Sequence, residues 1–516
     1  MLKKILNHFQ YLEFSRRELK PMKSKNKIVL VEFYDNKAFG VCYSYFAHTL
    51  SQIHDAKIIS YYPNFISIKK IIIHFFSNIN FFSSLKIYKS FSNDILAPKK
   101  KKISKQFFSK NFKKIKSNQK LVNFKYRNIQ IGDLLYDEFL ARYKVTTIDI
   151  RSKEFKLFFH ECLELISFWE NYLKKNEVKA IVTSHSVYIM GLIARLGISF
   201  KIPAYVIGPH SHYKLTKEKF IKWANQYDYH REFTNQSENF KKKIIRDSKY
   251  NVDNRLKGKA DFRYKFARKI TPVFSSNKVK PKIKKKEDKF NVLVASHCFM
   301  DAPHVYGNLI FYDFMEWFNF LGNLSNQRKL KNKYNWFIKV HPSLYKRNIE
   351  HFKEIVRKYP KFNLLNKFDT HNYLINDIGI DCVLTVYGSV AHEYPLFKIP
   401  VVNAGSNPHE GYNFSKTAKS KSEYKKIIYN LESLKVKKNV NQEIYECYGM
   451  HHLIEYYFFK NMDIELNQWN TLDVTSKFID NYSKELHDKK IAIYKKFISS
   501  KQRRLVDFNY SLELLP

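Results

Sequence analysis

Three short segments hold the residues best suited to chemistry: Lys339-Val340-His341-Pro342, Thr385-Val386-Tyr387-Gly388-Ser389-Val390-Ala391-His392-Glu393 and Ile399-Pro400-Val401-Val402-Asn403-Ala404-Gly405. His341 can donate to a phosphate oxygen, and Pro342 stiffens the loop behind it. Ser389 adds a hydroxyl and a backbone N–H where a helix should begin, and Gly388 lets the backbone come close to a ligand. Glu393, one turn later, can accept from a ribose diol or simply complement the helix N-terminus. The plain alternatives are a helix-capping histidine and an ordinary N-cap serine. Taken together, with Lys339 beside them, these residues suit an anionic, phosphate-bearing ligand.

Each segment is an apolar run that ends in a small or polar residue, at about the spacing of βα units. The pattern predicts strands at Trp336–Val340 and Cys382–Val386 and a third starting at Val401, so that His341 and Ser389 stand at adjacent carboxyl ends of a parallel sheet, where such sheets bind ligands. Phe290–Ala295 is a further strand. The loop after it, His297 to His304 with Asp301 between, looks at first like a metal site. No further ligand set accompanies it, so His297 is assigned to donor binding and no metal is assigned.

The first half repeats the theme. Lys27–Phe33, a helix over Val41–Ile53 and Lys57–Tyr61 make one βαβ unit; Lys179–Thr183, Tyr188–Leu196 and Ala204–Gly208 make another. Glu32 and Asp35 follow the first strand, and Asp133 and Asp137 flank Leu134–Tyr136. Any of these carboxylates can serve as the base that takes a proton from an acceptor hydroxyl, against the commoner role of solvated or structural carboxylate. Glu32, Asp133 and Asp137 are the catalytic candidates. Asp35, His185 and His210 are assigned to the acceptor, and His212 faces the same way.

The chain has 516 residues, too many for one core. The expected organisation is a basic amphipathic helix over 1–25, a first lobe over 26–271 with an irregular helical, basic insertion at about 65–128, a Ser/Pro/Lys-rich linker over 272–289, a second lobe over 290–440 and a helical tail over 441–516. Five cysteines lie far apart, at neither metal nor redox spacing, and read as reduced thiols of a cytosolic protein. The net charge of +44 admits nucleic acid, anionic lipid or an acidic substrate as partner, or mere enrichment in surface lysine. No nucleic-acid motif is visible. No secretory signal and no spanning segment is read; Ile71–Phe76, near Lys99–Lys102, is either an interfacial segment or a core helix. A cytoplasmic protein is expected, peripheral at the inner face of the plasma membrane.

The order of KVHP, TVYGSVAHE and IPVVNAG resembles the C-terminal lobe of GT-B glycosyltransferases, above all bacterial capsule and surface-polysaccharide enzymes. Similar His-Pro and Ser elements occur in bacterial sialyltransferases, Kdo transferases and CDP-glycerol phosphotransferases. The resemblance is clearest over 290–415; in the first lobe Gly132–Asp137 looks like an element of some capsule-associated sequences. It implies an α/β protein of two Rossmann-like lobes facing a central cleft, with His341 and Ser389 on the donor phosphate and Glu393 near the ribose. The Asp/Glu-Asp-Gly base motif of the sialyltransferases is missing here. The implied activity is transfer of a sugar from a nucleotide-sugar co-substrate to a polysaccharide or lipid-linked acceptor, with no other cofactor. A CDP-glycerol or ribitol phosphotransferase, and a non-catalytic basic protein that binds RNA or membrane, are the alternatives.

Overall fold

The computed structural model describes all residues except 24–25, 67–71, 73–75, 77–79, 225, 260–273, 275–288, 342–344, 367–368, 461–470 and 507–516. The chain divides into two compact units. Met1–Glu138, Asp149–Lys222 and the described tail from Glu455 form the first; Phe139–Ile148 and Trp223–Ile454 form the second.

The first unit is built on six strands: β1 (Lys27–Glu32), β2 (Lys57–Tyr61), β3 (Asp94–Leu96), β4 (Glu177–Thr183), β5 (Ala204–Gly208) and β6 (Ser211–Leu215). They lie in the order β3-β2-β1-β4-β5-β6. All neighbours are parallel except the β5–β6 hairpin, in which Gly208 pairs with Ser211. The interior strands are almost wholly buried, as expected where helices cover both faces. The helix Lys37–His54 follows β1, its N-terminus capped by Asn36 Oδ1, which accepts from Ala38 N at 2.9 Å.

The second unit repeats the plan with β7 (Phe290–Ala295), β8 (Tyr334–Lys339), β9 (Phe362–Leu364), β10 (Cys382–Thr385), β11 (Val401–Asn403) and β12 (Lys416–Thr417), ordered β9-β8-β7-β10-β11-β12 and parallel throughout. In both sheets the chain starts in the middle, winds outward, then returns to the other side of its first strand. That is the Rossmann-type, doubly wound order, and ligands of such sheets bind where the direction reverses. Two Rossmann-like α/β units are therefore present, as expected.

Several boundaries differ from the expectation. Asp94–Leu96, inside the presumed insertion, is the edge strand of the first sheet; three residues are too short to give an alternating pattern. The β6 strand was also missed. Residues 223–256, expected in the first lobe, belong to the second: the helix Glu238–Leu256 packs against Val440–Tyr448 so closely that a Cβ on Gly449 would stand 2.6 Å from Ile244 and Ser248. The tail is not a separate helical domain. From Glu455 it returns to the first unit, where Tyr494 and Phe497 of the helix Lys484–Ser499 complete the core around Phe46. Apart from Phe274 and Lys289, the expected linker lies outside the described residues, as does most of Ile71–Phe76. All five cysteines are buried, and none forms a disulfide.

Candidate active site

Between the ends of β8 and β10, which carry His341 and Ser389, stands β7; the two strand ends are not adjacent as the sequence suggested. The residues after β7 bridge them. Ser296 Oγ accepts from His341 N at 3.1 Å, and Ser296 N donates to Lys339 O at 3.0 Å. His297 Nε2 accepts from Val386 N at 3.3 Å and Tyr387 N at 3.4 Å, with Thr385 Oγ1 at 3.2 Å. Thr385 Oγ1 in turn accepts from Gly388 N at 3.3 Å. A Cβ at position 388 would lie 2.8 Å from that hydroxyl, so a larger residue there would push the Thr385 side chain out of this turn.

His297 is thus the post around which the β10 turn is wrapped. Its ring stacks on Phe314 and lies against Tyr387. Burial, and then the neighbouring His341, push its pKa down to about 3, so the ring is neutral and Nε2 is free to accept. The expected direct role of His297 in donor binding gives way to a positioning role, with Nδ1 left as the ring's donor.

Ser389 opens only one helical turn, Val390–Glu393, before Pro395 tips the chain into a 3₁₀ turn. Its hydroxyl makes no capping bond; it accepts instead from Arg255 Nη2 at 3.4 Å. Arg255 Nε also donates to Glu393 Oε1 at 2.5 Å, in a pair whose side chains are 11% and 1% exposed. So Glu393, expected near a ribose, has its carboxylate engaged by a guanidinium. Such a buried pair is held only where the geometry is good, since both ions lose their water. His371, hydrogen-bonded through Nδ1 to Tyr394 Oη at 2.7 Å, reports the surrounding field. Burial drives its pKa down to about 3; Glu393 opposes the shift, while Lys339, Arg255 and His341 add to it. Both His341 and Arg255 thus act on His371, and His341 itself is exposed.

Lys339 is placed differently from the expectation. Its buried ammonium donates to the carbonyls of Asn366, at 3.3 Å, and Asp369, tying the end of β8 to the following loop. Burial lowers its pKa to about 8. Pro342 lies outside the described residues.

In the first unit the carboxylates separate by environment. Glu32 is 0% exposed; its Oε2 accepts from Thr183 Oγ1 at 2.7 Å and Ser184 N at 2.5 Å, joining the ends of β1 and β4. Burial raises its pKa to about 7. Asp133 is buried in a bidentate pair with Arg195, at 2.5 and 2.7 Å. Neither is placed to serve as the expected base: one locks two strands together and the other neutralises a buried arginine. Asp137 is buried one turn further along the helix Gly132–Tyr143. Asp35 is exposed and accepts from the Ser84 hydroxyl.

His185 and His210 follow β4 and β5, and both sit beside a buried cation that the sequence did not single out, Lys222. Burial, with Lys222 second, lowers each imidazole to about 4. Lys222 Nζ donates to Ser211 Oγ, while its backbone N donates to Ser186 Oγ at 3.0 Å. In the same loop Tyr188 is held at φ 54°, ψ −167°, a conformation that costs a non-glycine residue about 1–3 kcal/mol and is typical of binding loops. His212 belongs to the core, stacked on Phe459 and Tyr494. Neither Arg255 nor Lys222 stands out locally: Arg255 is one of many charges in the run ENFKKKIIRDSKYNVDNRL, and Lys222 follows Lys214, Lys217 and Lys219.

Among the described residues no group of three or more His, Cys, Asp or Glu is placed to hold a metal ion, and no helix is long and apolar enough to cross a membrane.

No family model matches the chain, and no curated protein does. Among solved structures it is similar to the Thermosulfurimonas dismutans KpsC, a beta Kdo 2,4 transferase, with 11% identity over 53% of this chain and 79% of that one and a TM-score of 0.32. It is also similar to a glycosyltransferase from Rickettsia africae, with 11% identity, 93% and 100% coverage and a TM-score of 0.24. A third is the UDP-GlcNAc 2-epimerase from Neisseria meningitidis, with 9% identity, 82% and 96% coverage and a TM-score of 0.21.

Proposed function

We propose that the chain is a glycosyltransferase of the GT-B type, moving a sugar from a nucleotide-activated donor to a surface polysaccharide or lipid-linked acceptor at the inner face of the plasma membrane. The observation that supports this reading is the Arg255 guanidinium held by Glu393 against the Ser389 hydroxyl at the end of β10, where the second sheet reverses its strand order, with His341 following β8 on the other side of β7. In this reading the imidazole, the hydroxyl and the guanidinium are the partners of the donor's phosphate. As the glycosidic bond breaks, negative charge grows on that phosphate, and donors already in place stabilise it without reorganising. Arg255 and His341 supply those donors, so the reading invokes no metal.

The acceptor is assigned to the first unit, against His185, His210 and Lys222. Asp35, the one exposed carboxylate among the four candidates, takes the proton from the attacking hydroxyl. Transfer leaves the nucleoside phosphate on the donor side and the sugar on the acceptor oxygen.

A thermal-shift screen with CMP, CDP, UDP and GDP tests the reading: one nucleotide raises the melting temperature of the wild type and fails to do so in His341→Ala. If no nucleotide stabilises the protein, the enzyme reading is lost. If donor phosphorus appears in the acceptor, the protein is a polyol phosphotransferase instead.

A further inference from the structure

The first unit carries a greasy, cationic surface that plays no part in the site above. The helix Leu2–Glu18 buries one side, including Asn7, His8, Tyr11, Leu12 and Phe14, against the helices Ser84–Phe91 and Asp473–Asp480. Its other side is left apolar in its first half: Leu2, Leu6 and Phe9, at i, i+4 and i+7, are 71%, 53% and 42% exposed. Further along the same face stand Glu13, Arg16 and Arg17, all exposed, with Arg17 Nε donating to Glu18 Oε1 at 2.7 Å. Phe81, 59% exposed, extends the patch from a separate loop; its ring centroid lies 6.2 Å from that of Phe9, and Lys86 Nζ stands 5.1 Å above it.

This arrangement is held in place from beneath. His8 Nε2 donates to the Phe81 carbonyl at 3.2 Å, which leaves Nδ1 to accept from Thr475 Oγ1 at 3.1 Å. Lys3 and Lys4 anchor the first turn on Asp480 and Asp473. A large apolar residue left in water costs free energy that burial elsewhere would recover, so several fixed side by side mark a surface that is normally covered.

We propose that Leu2, Leu6, Phe9 and Phe81 insert into an anionic lipid surface, with Arg16 and Lys86 against its headgroups. The occupant is argued from charge. A chain of net charge +44 repels a second copy of itself, whereas an anionic bilayer takes up the aromatic and aliphatic tips and attracts the cations that outnumber Glu13 and Glu18 around them. The proposal rests on the reading above only for the choice of the inner leaflet and uses none of its catalytic residues.

The test is co-sedimentation of the full chain with phosphatidylcholine vesicles, with and without phosphatidylglycerol. Binding is expected only with phosphatidylglycerol, to weaken as salt rises, and to fall by about tenfold or more in Leu6→Glu/Phe9→Glu. The melting temperature and transfer to a water-soluble acceptor should stay at wild-type values in that variant, which separates failure here from failure of the enzyme reading. Equal binding by wild type and variant, or equal binding to vesicles lacking phosphatidylglycerol, overturns the proposal. So does a wild-type dimer in solution that the variant abolishes, because the face would then be a protein interface.

Discussion

Arg255 and Glu393 stand 138 positions apart in sequence, yet meet in a 2.5 Å ion pair that also brings the guanidinium to Ser389. The carboxylate fixes the arginine, and the arginine presents Nη2 to the hydroxyl expected to meet the donor phosphate. This pair connects the helix Glu238–Leu256 to the turn after β10 within one unit.

Removing one partner should be costly. Arg255→Ala leaves a carboxylate that is 1% exposed without its cation, and should lower stability by about 3–5 kcal/mol in urea unfolding. The double variant Arg255→Met/Glu393→Leu should recover most of that loss, since apolar side chains can replace a buried pair. Sugar transfer should nevertheless stay low in it. Wild-type transfer by the double variant would limit Arg255 to a structural role.

His341 offers the contrasting case. Its side chain is exposed, so His341→Ala should leave stability within about 0.5 kcal/mol of wild type. Turnover should drop by about 10²–10³-fold, the usual cost of losing one donor to a developing oxyanion. Single-turnover kinetics with saturating donor reads this directly.

Among the first unit's carboxylates the roles divide. Asp35→Asn should lower kcat by about 10²–10⁴-fold with little change in melting temperature, as for a lost general base. Asp133→Asn should do the reverse, unfolding readily because Arg195 keeps its buried charge. Parallel measurement of kcat and melting temperature for the two variants checks the assignment.

Glu32 provides a pH signature. Its folded pKa is raised to about 7 from an ordinary 4.5, because burial disfavours the ionised form. The native state therefore holds this proton more tightly than the unfolded chain does. The stability it lends is complete below pH 4.5 and is lost as the pH climbs through 7, a change of up to roughly 3 kcal/mol. Glu32→Gln cannot ionise and can still accept from Thr183 and Ser184. It should match wild type at pH 4 and exceed it at pH 8 in denaturant titrations, whereas equal stability at both pH values would refute the assignment.

Much of the framework was legible because it is written locally. The core strand Ala204–Gly208 is a continuous apolar run and Lys57–Tyr61 is centred on Ile58 and Ile59, and the limits of both follow from the sequence itself. Short elements were not: Asp94–Leu96 and Lys416–Thr417 become strands only because a neighbour offers them a ladder. The chemistry-bearing residues split in the same way. His341 and Ser389 were found from their places after apolar runs. Lys339, His297 and Glu393 lie where the sequence put them, but what they bind is decided by carbonyls, amides and a guanidinium arriving from elsewhere.

The sequence by itself determined two α/β series and the loops that end their strands, because hydrophobic periodicity and turn residues act over a few positions. Only the tertiary structure decided that β7 separates the His341 and Ser389 strands, that Arg255 joins their site, and that Glu32 and Asp133 are buried fastenings. Those outcomes depend on desolvation and pairing between residues distant along the chain, and side-chain type alone does not encode which partner a charge will meet.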